Sequence, residues 1–295
     1  MNLSSGVSTW TFNGLLGPEL GAVLDGGAPY LSRHGPAVRR HAAELVSAIL
    51  PSGIRYVELW YSRALHDDEI LAELGRLSAD GRISSMHAPF GPAMDLSSLD
   101  EEVRLNGLEA CRSAAGLLSR LGGGTLVVHS GSQVEDAAEM QRRSAQSARS
   151  LAELCDFCGE LGLRVAVEVL AGRVVGSSGP ELLALLELIG RPNGGACMDV
   201  NHVFPADRLI PSIYALGRHI FTLHISDHDG LAEKHWLPLQ GVIDWRVLAD
   251  ALKEVAYTGP FMYEVRFDAP DIGETISAIQ RNYREVRRLV SGRAD

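Results

Sequence analysis

The chain has 295 residues, a formal charge of −10 and 46% hydrophobic residues, which is ample for a full-sized core. The negative balance disfavours nucleic acid as a partner, because loose attachment depends on Lys and Arg facing phosphates. The longest apolar run, around Leu182–Ile189, is broken by Glu187 and too short to cross a bilayer, and Met1–Gly14 lacks the basic and apolar segments of a secretory signal. A cytoplasmic protein with no membrane partner is therefore expected.

In chain order, short apolar runs alternate with longer amphipathic ones. A strand over Val7–Phe12 is followed by a Gly- and Pro-rich stretch, Asn13–Pro36, read either as a lid or as an irregular surface connection. A helix over Ala37–Leu50 leads to a strand over Tyr56–Trp60, and a helix over Asp67–Leu77 to a strand over Ile83–His87. The helix Leu99–Leu121 precedes the strand Leu126–His129, and the helix Ala137–Leu161 precedes the strand Val165–Glu168. The remaining strands are Ala196–Asp199, Phe221–His224 and Phe261–Glu264, with helices over Pro180–Leu188, Arg208–Leu216, Trp245–Val255 and Ile272–Val290. Gly162 and Gly190 read as helix stops, Pro180 as a start and Asp244 as a cap. Eight strands is the number that closes an α/β barrel, a (β/α)8 TIM barrel of roughly 250 residues, so residues 1–295 are read as a single domain. Cys155 and Cys158, two of four cysteines, form a lone C-x-x-C inside a helical pattern, read as core-side thiols.

A parallel barrel places every strand end on one face. Glu168, Asp199, His224 and Glu264 each close a strand, so they are expected to converge on one cation. Any one alone is as readily a salt-bridged or capping group. Four at equivalent positions are costly to bury without a cation. Three carboxylates and an imidazole suit Mn²⁺, Mg²⁺, Co²⁺ or Zn²⁺. His87 and His129 end the third and fourth strands, His202 follows Asp199, and Glu233 and His235 lie after the seventh strand. These five are read as substrate contacts or further metal positions, with structural roles left open. Trp10, Trp60 and Phe90 lie near strand ends, where an apolar wall and plain core packing explain them equally well.

The residues carry a resemblance that runs through nearly the whole chain. His-Ala-Pro-Phe at 87–90, Val-His-Ser-Gly at 128–131, Val-Glu-Val at 167–169, Asp-Val-Asn-His at 199–202, Leu-His-Ile-Ser-Asp at 223–227, the stretch from His235 to Trp245 and Tyr-Glu-Val-Arg at 263–266 resemble the xylose isomerase-like barrel superfamily. That superfamily holds sugar isomerases and epimerases together with endonuclease IV-type apurinic endonucleases. For the epimerase branch the resemblance implies one divalent ion on Glu168, Asp199, His224 and Glu264, a sugar or polyol-type substrate reacting through an enediolate, and Glu168 and Glu264 as the catalytic proton carriers. His202 and His235 would hold substrate oxygens. For the endonuclease branch it implies up to three Zn²⁺, with Glu233 standing where that branch has aspartate. A metal-dependent dehydratase or lyase, and a binding barrel without catalysis, complete the alternatives. Asp227, His228, Asp229 and Gly230 stand where the epimerase branch often has a basic residue, which favours neutral polyols unless Arg173, Arg266 or Lys234 supplies the charge. Oligomeric state is not legible, and a homo-oligomer is left open.

Overall fold

Apolar runs buried on both faces pair in parallel when amphipathic helices return the chain and cover the sheet. The computed structural model describes residues 4–16 and 28–291. Among them, β1 (Ser5–Ser8), β2 (Tyr56–Trp60), β3 (Ile83–His87), β4 (Thr125–Val128), β5 (Arg164–Glu168), β6 (Gly194–Asp199), β7 (Ile220–Ile225) and β8 (Phe261–Tyr263) close in sequence order, with β8 returning to β1. All pairs are parallel. The outer layer is α1 (Ala28–Ile49), α2 (Asp68–Ala79), α3 (Glu101–Arg120), α4 (Ala137–Glu160), α5 (Gly179–Ile189), α6 (Leu209–Leu216), α7 (Trp245–Glu254) and α8 (Ile272–Ser291). The expected (β/α)8 TIM barrel is what forms.

Helix starts follow side-chain chemistry. Asp67, Asp100, Asp136, Ser178 and Asp244 each accept hydrogen bonds from the otherwise unpaired first-turn N–H groups of α2, α3, α4, α5 and α7. Gly190 ends α5 at φ 59°, a left-handed conformation that costs glycine no Cβ clash.

The main core lies between sheet and helices, while the barrel interior holds small and polar residues. Strand periodicity of two turns Glu58, Ser85, Glu168, Cys197, Asp199, Thr222 and His224 inward, all buried. Cys155 and Cys158 are free, buried thiols on α4, and burial pushes both up to about 12, so they are unreactive at neutral pH.

Several boundaries differ from expectation. β1 stops at Ser8 and Thr9–Leu16 turns as a 3-10 helix, because Thr9 Oγ1 accepts from Trp60 N at 2.8 Å and Thr11 Oγ1 from Val265 N at 3.1 Å. Those hydroxyls take donors that a longer ladder would have paired. The first helix begins at Ala28, so 28–36 is helical rather than loop, and it runs through Pro36; burial of Val38, Leu45, Val46 and Ile49 overrides the local penalty of proline. Residues 17–27, where the lid reading also falls, lie outside the described residues. His129 and Glu264 sit one residue beyond β4 and β8, with Glu264 N still donating to Ile225 O at 3.2 Å. No helix among the described residues is long and apolar enough to span a membrane.

Candidate metal and substrate site

At the C-terminal mouth of the barrel a cavity of about 450 Å³ is lined by Trp10, Trp60, Phe90, His87, His129, Glu168, His202, Glu233, His235 and Glu264, among others. Every site residue read from the sequence lies in or directly beneath it. Ligand atoms of Glu168, Asp199, His224 and Glu264 all fall within 4.8 Å of one another, and all four residues are buried. His224 Nδ1 stands at the centre, 3.0 Å from Glu168 Oε1, 3.0 Å from Glu264 Oε2 and 3.8 Å from Asp199 Oδ2.

Glu168 is the most heavily contacted carboxylate. Its Oε2 lies 3.0 Å from His87 Nε2 and 3.2 Å from His129 Nε2. The first of these rings is fixed by its other nitrogen, since His87 Nδ1 donates to the Ala88 carbonyl at 2.8 Å. Burial alone would raise the carboxyl of Glu168, but the charge of His224 and hydrogen bonds from His129, His224 and His87 hold it well below its ordinary value. Glu264 is likewise lowered, burial being outweighed chiefly by His224. His224 is raised well above its usual value: burial opposes the charge, and Cys197, Glu264, Glu58 and Glu168 together overcome it. Asp199 moves the other way, up to about 7, through burial and then the neighbouring Glu168 and Glu264, with His202 pulling against them.

This donor set fits a cation. Asp199 Oδ2 is buried without a hydrogen bond. The nearest nitrogen, His202 Nδ1 at 3.3 Å, instead donates to the Val169 carbonyl at 3.0 Å. A fully desolvated carboxylate oxygen with nothing to accept, aimed at two more carboxylates and an imidazole nitrogen, is what a hard divalent ion satisfies. Two further triads of candidate ligands adjoin it, His87–His129–Glu168 and His202–Glu233–His235; a third, Glu168–Cys197–His224, contains a thiol that burial keeps protonated.

Toward solvent the mouth is aromatic. Trp10 and Trp60 lie 6.2 Å apart, Trp60 stacks on His87 at 4.4 Å, and Phe90, 42% exposed, stacks on His129 at 3.7 Å. Among the described residues no Lys or Arg lines the cavity. Lys234 pairs with Asp229 at 3.2 Å, Arg266 lies 4.0 Å over the Trp10 ring, and the guanidinium of Arg173 donates to the Glu135 carbonyl.

Sequence reasoning missed three residues. Glu58 lies in β2, fully buried beneath His224; a charge in the middle of the apolar run Tyr56–Trp60 was the available signal. Asn201 Oδ1 accepts from the N–H groups of Lys234 and His235. Asp227, also fully buried, accepts from the backbone N–H of His228, Leu239 and Ile243 and from Trp245 Nε1, and so fastens the loop that carries Glu233 and His235. Asp227→Ala strands those donors, each worth about 1–3 kcal/mol when buried and unpaired. It is expected to cost at least about 3 kcal/mol in urea unfolding; a loss below about 1 kcal/mol would show that the loop holds without it.

A family profile described as the xylose isomerase-like TIM barrel matches residues 46–284. The chain is 27% identical over 185 residues to the L-ribulose 3-epimerase of Methylomonas sp. (strain DH-1), covering 60% of this chain and 63% of that protein. It is 26% identical over 194 residues to the ketose 3-epimerase of Arthrobacter globiformis, covering 64% and 65%. The match thus spans less than two thirds of those relatives' own lengths. Two solved structures share the fold: a D-tagatose 3-epimerase-like protein (TM-score 0.75, 19% identity, 98% of this chain and 99% of that one), and the D-allulose 3-epimerase from Methylomonas sp. in complex with D-allulose (TM-score 0.75, 18% identity, 96% of each). With its barrel closed and more than half its length matched by the profile, the chain belongs to the xylose isomerase-like TIM barrel family.

Proposed function

We propose that this protein is a divalent-metal-dependent epimerase of free ketoses, inverting the carbon beside the carbonyl. The observation that carries the reading is the convergence of Glu168, Asp199, His224 and Glu264 on one point with Asp199 Oδ2 left without a partner. Kinship with an L-ribulose 3-epimerase and a ketose 3-epimerase supports the substrate class. So does a mouth lined, among the described residues, by no Lys or Arg, which suits a neutral sugar better than a sugar phosphate.

Held by those four residues, a divalent ion such as Mn²⁺, Mg²⁺, Co²⁺ or Zn²⁺ would supply Lewis-acid polarisation of the substrate's carbonyl and adjacent hydroxyl. The chain supplies the proton transfers. Glu168 enters from β5 and Glu264 from beyond β8, and both are held ionised, so one takes the proton from carbon and releases it to solvent, while the other first picks up a solvent proton and then delivers it to the opposite face of the same carbon. His87 and His129 hold Glu168 in place. His202 and His235, each with one ring nitrogen committed to a backbone carbonyl, at 3.0 Å and 3.1 Å, present the other to substrate oxygens, with Glu233 beside them. Trp10, Trp60 and Phe90 cover the sugar's carbon face. Phe90→Ala is expected to raise KM by several-fold to about tenfold with kcat nearly unchanged, as loss of uniform binding does; initial-rate kinetics with kcat falling in parallel would place Phe90 closer to the chemistry.

Metal analysis should find about one divalent ion per chain. Incubation with a panel of ketoses in ²H₂O should place solvent deuterium at the epimerised carbon, and absence of exchange with every ketose would sink the reading. The additional ligand triads support a second reading, a three-zinc phosphodiesterase. Two or three bound zincs together with nicking of an abasic-site duplex would establish that one instead.

A further inference from the structure

Glu58 is a fully buried carboxylate in the interior of β2, with no Lys or Arg contact among the described residues. Such a group is expensive unless something in the fold uses its charge. Two neighbours engage it. Ser85, its register partner on β3, donates Oγ–H to Glu58 Oε2 at 2.8 Å. The other oxygen, Oε1, lies 2.9 Å from His224 Nε2. That contact is bent away from hydrogen-bond alignment, and neither atom has any other hydrogen-bond partner among the described residues.

The His224 ring therefore bridges two carboxylate environments. Nε2 faces Glu58, Nδ1 faces Glu168, Glu264 and Asp199, and the protonated Cys197 thiol packs within 4.8 Å of the ring. A neutral imidazole carries one proton and one lone pair, on different nitrogens. A cation among the three mouth-side carboxylates needs the lone pair on Nδ1, which leaves the proton on Nε2, where Glu58 Oε1 is the acceptor at hand. A carboxylate behind a ligating histidine also raises the basicity of the ligating nitrogen.

Building on the reading of Glu168, Asp199, His224 and Glu264 as a cation site, we propose that Glu58 is a positioning residue. It fixes His224 as the Nε2–H tautomer and aims Nδ1 at the cation, without itself touching cation or substrate. Ser85 holds the far oxygen so that the carboxylate cannot rotate away.

The test is a Mn²⁺ titration of the purified full-length chain, with free Mn²⁺ followed by electron paramagnetic resonance, on wild type, Glu58→Leu and Glu58→Gln. Glu58→Leu removes both acceptor and charge at similar volume and is expected to weaken Mn²⁺ binding by about 10- to 100-fold. Glu58→Gln keeps an oxygen at the position and should fall between the two. A second readout separates aiming from general loosening of the core. In zinc-loaded protein with ¹⁵N-labelled histidine, the wild type should show a slowly exchanging His224 Nε2–H proton. Glu58→Leu should lose or shift it, while circular dichroism and cooperative unfolding persist.

Unchanged Mn²⁺ affinity in Glu58→Leu, or an unaltered Nε2–H resonance, overturns the proposal while the cation site stands. If Glu58→Leu does not fold, Glu58→Gln decides, and wild-type affinity with a wild-type resonance overturns it. A wild type that takes up no Mn²⁺ or Zn²⁺ removes the cation site, and this role for Glu58 with it.

Discussion

Glu264→Gln should lower ketose turnover by at least about 10²-fold, the usual scale for removing an acid/base group, while leaving the barrel folded. The substitution is nearly isosteric and preserves an oxygen toward His224 Nδ1, now 3.0 Å from the carboxylate. The backbone bond from Glu264 N to Ile225 O is untouched. What is lost is the capacity to take and return a proton at Oε, together with one negative charge toward the cation, so rates are compared at saturating metal. The corresponding change at Glu168 is less diagnostic, because that carboxylate also receives His87, His129 and His224, and its loss disturbs three rings at once. Steady-state rates and deuterium wash-in on the same ketose provide the check. Turnover within a few-fold of wild type would remove Glu264 from the proton-transfer role.

Stripping the divalent ion should abolish turnover and lower the thermal midpoint, both restored by adding back Mn²⁺ or Co²⁺. Glu58, Glu168, Asp199 and Glu264 are all buried near one imidazole, and without a cation their mutual repulsion is relieved only by protons. Asp199, pushed up to about 7, His202, pushed up to about 9, and His224 and His87, raised above their usual values, hold them. A ligand present at 100 times its Kd stabilises by about 2.7 kcal/mol, a shift that scanning calorimetry with and without metal resolves. The sign with pH follows from competition. Binding requires His224 Nδ1 and Asp199 to be unprotonated, so protons oppose the cation as pH falls. The metal-dependent gain in midpoint should be larger at pH 8 than at pH 6; equal gains at both would mean that the cation binds elsewhere.

The convergence of the strand-end donor residues was legible because a parallel barrel converts a one-dimensional pattern, an apolar run closed by a donor residue, into a shared face. β2, β3 and β5 begin or end within a residue of expectation for that reason. The parts that were not legible depend on partners distant in sequence. The end of β1 is decided by hydroxyls of Thr9 and Thr11 bonding to Trp60 and Val265. Glu58 closes no strand, so the rule that finds the mouth residues passes over it; its meaning appears only when β7 brings His224 across the interior. Asp227 stands in a polar loop where any carboxylate looks solvated, yet it is fully buried.

The Asp227 knot separates where the β7–α7 loop is tied from where it reaches the cavity. Its fastenings are to His228, Trp236, Leu239, Ile243 and Trp245, whereas the intervening tip carries Glu233 and His235 and exposes Leu231 by 82%. Variation at Leu231 and Ala232 can therefore be absorbed while the clasp stays shut and Glu233 keeps its place. Directed diversification of those two positions would alter the rim of the proposed site and leave the scaffold untouched.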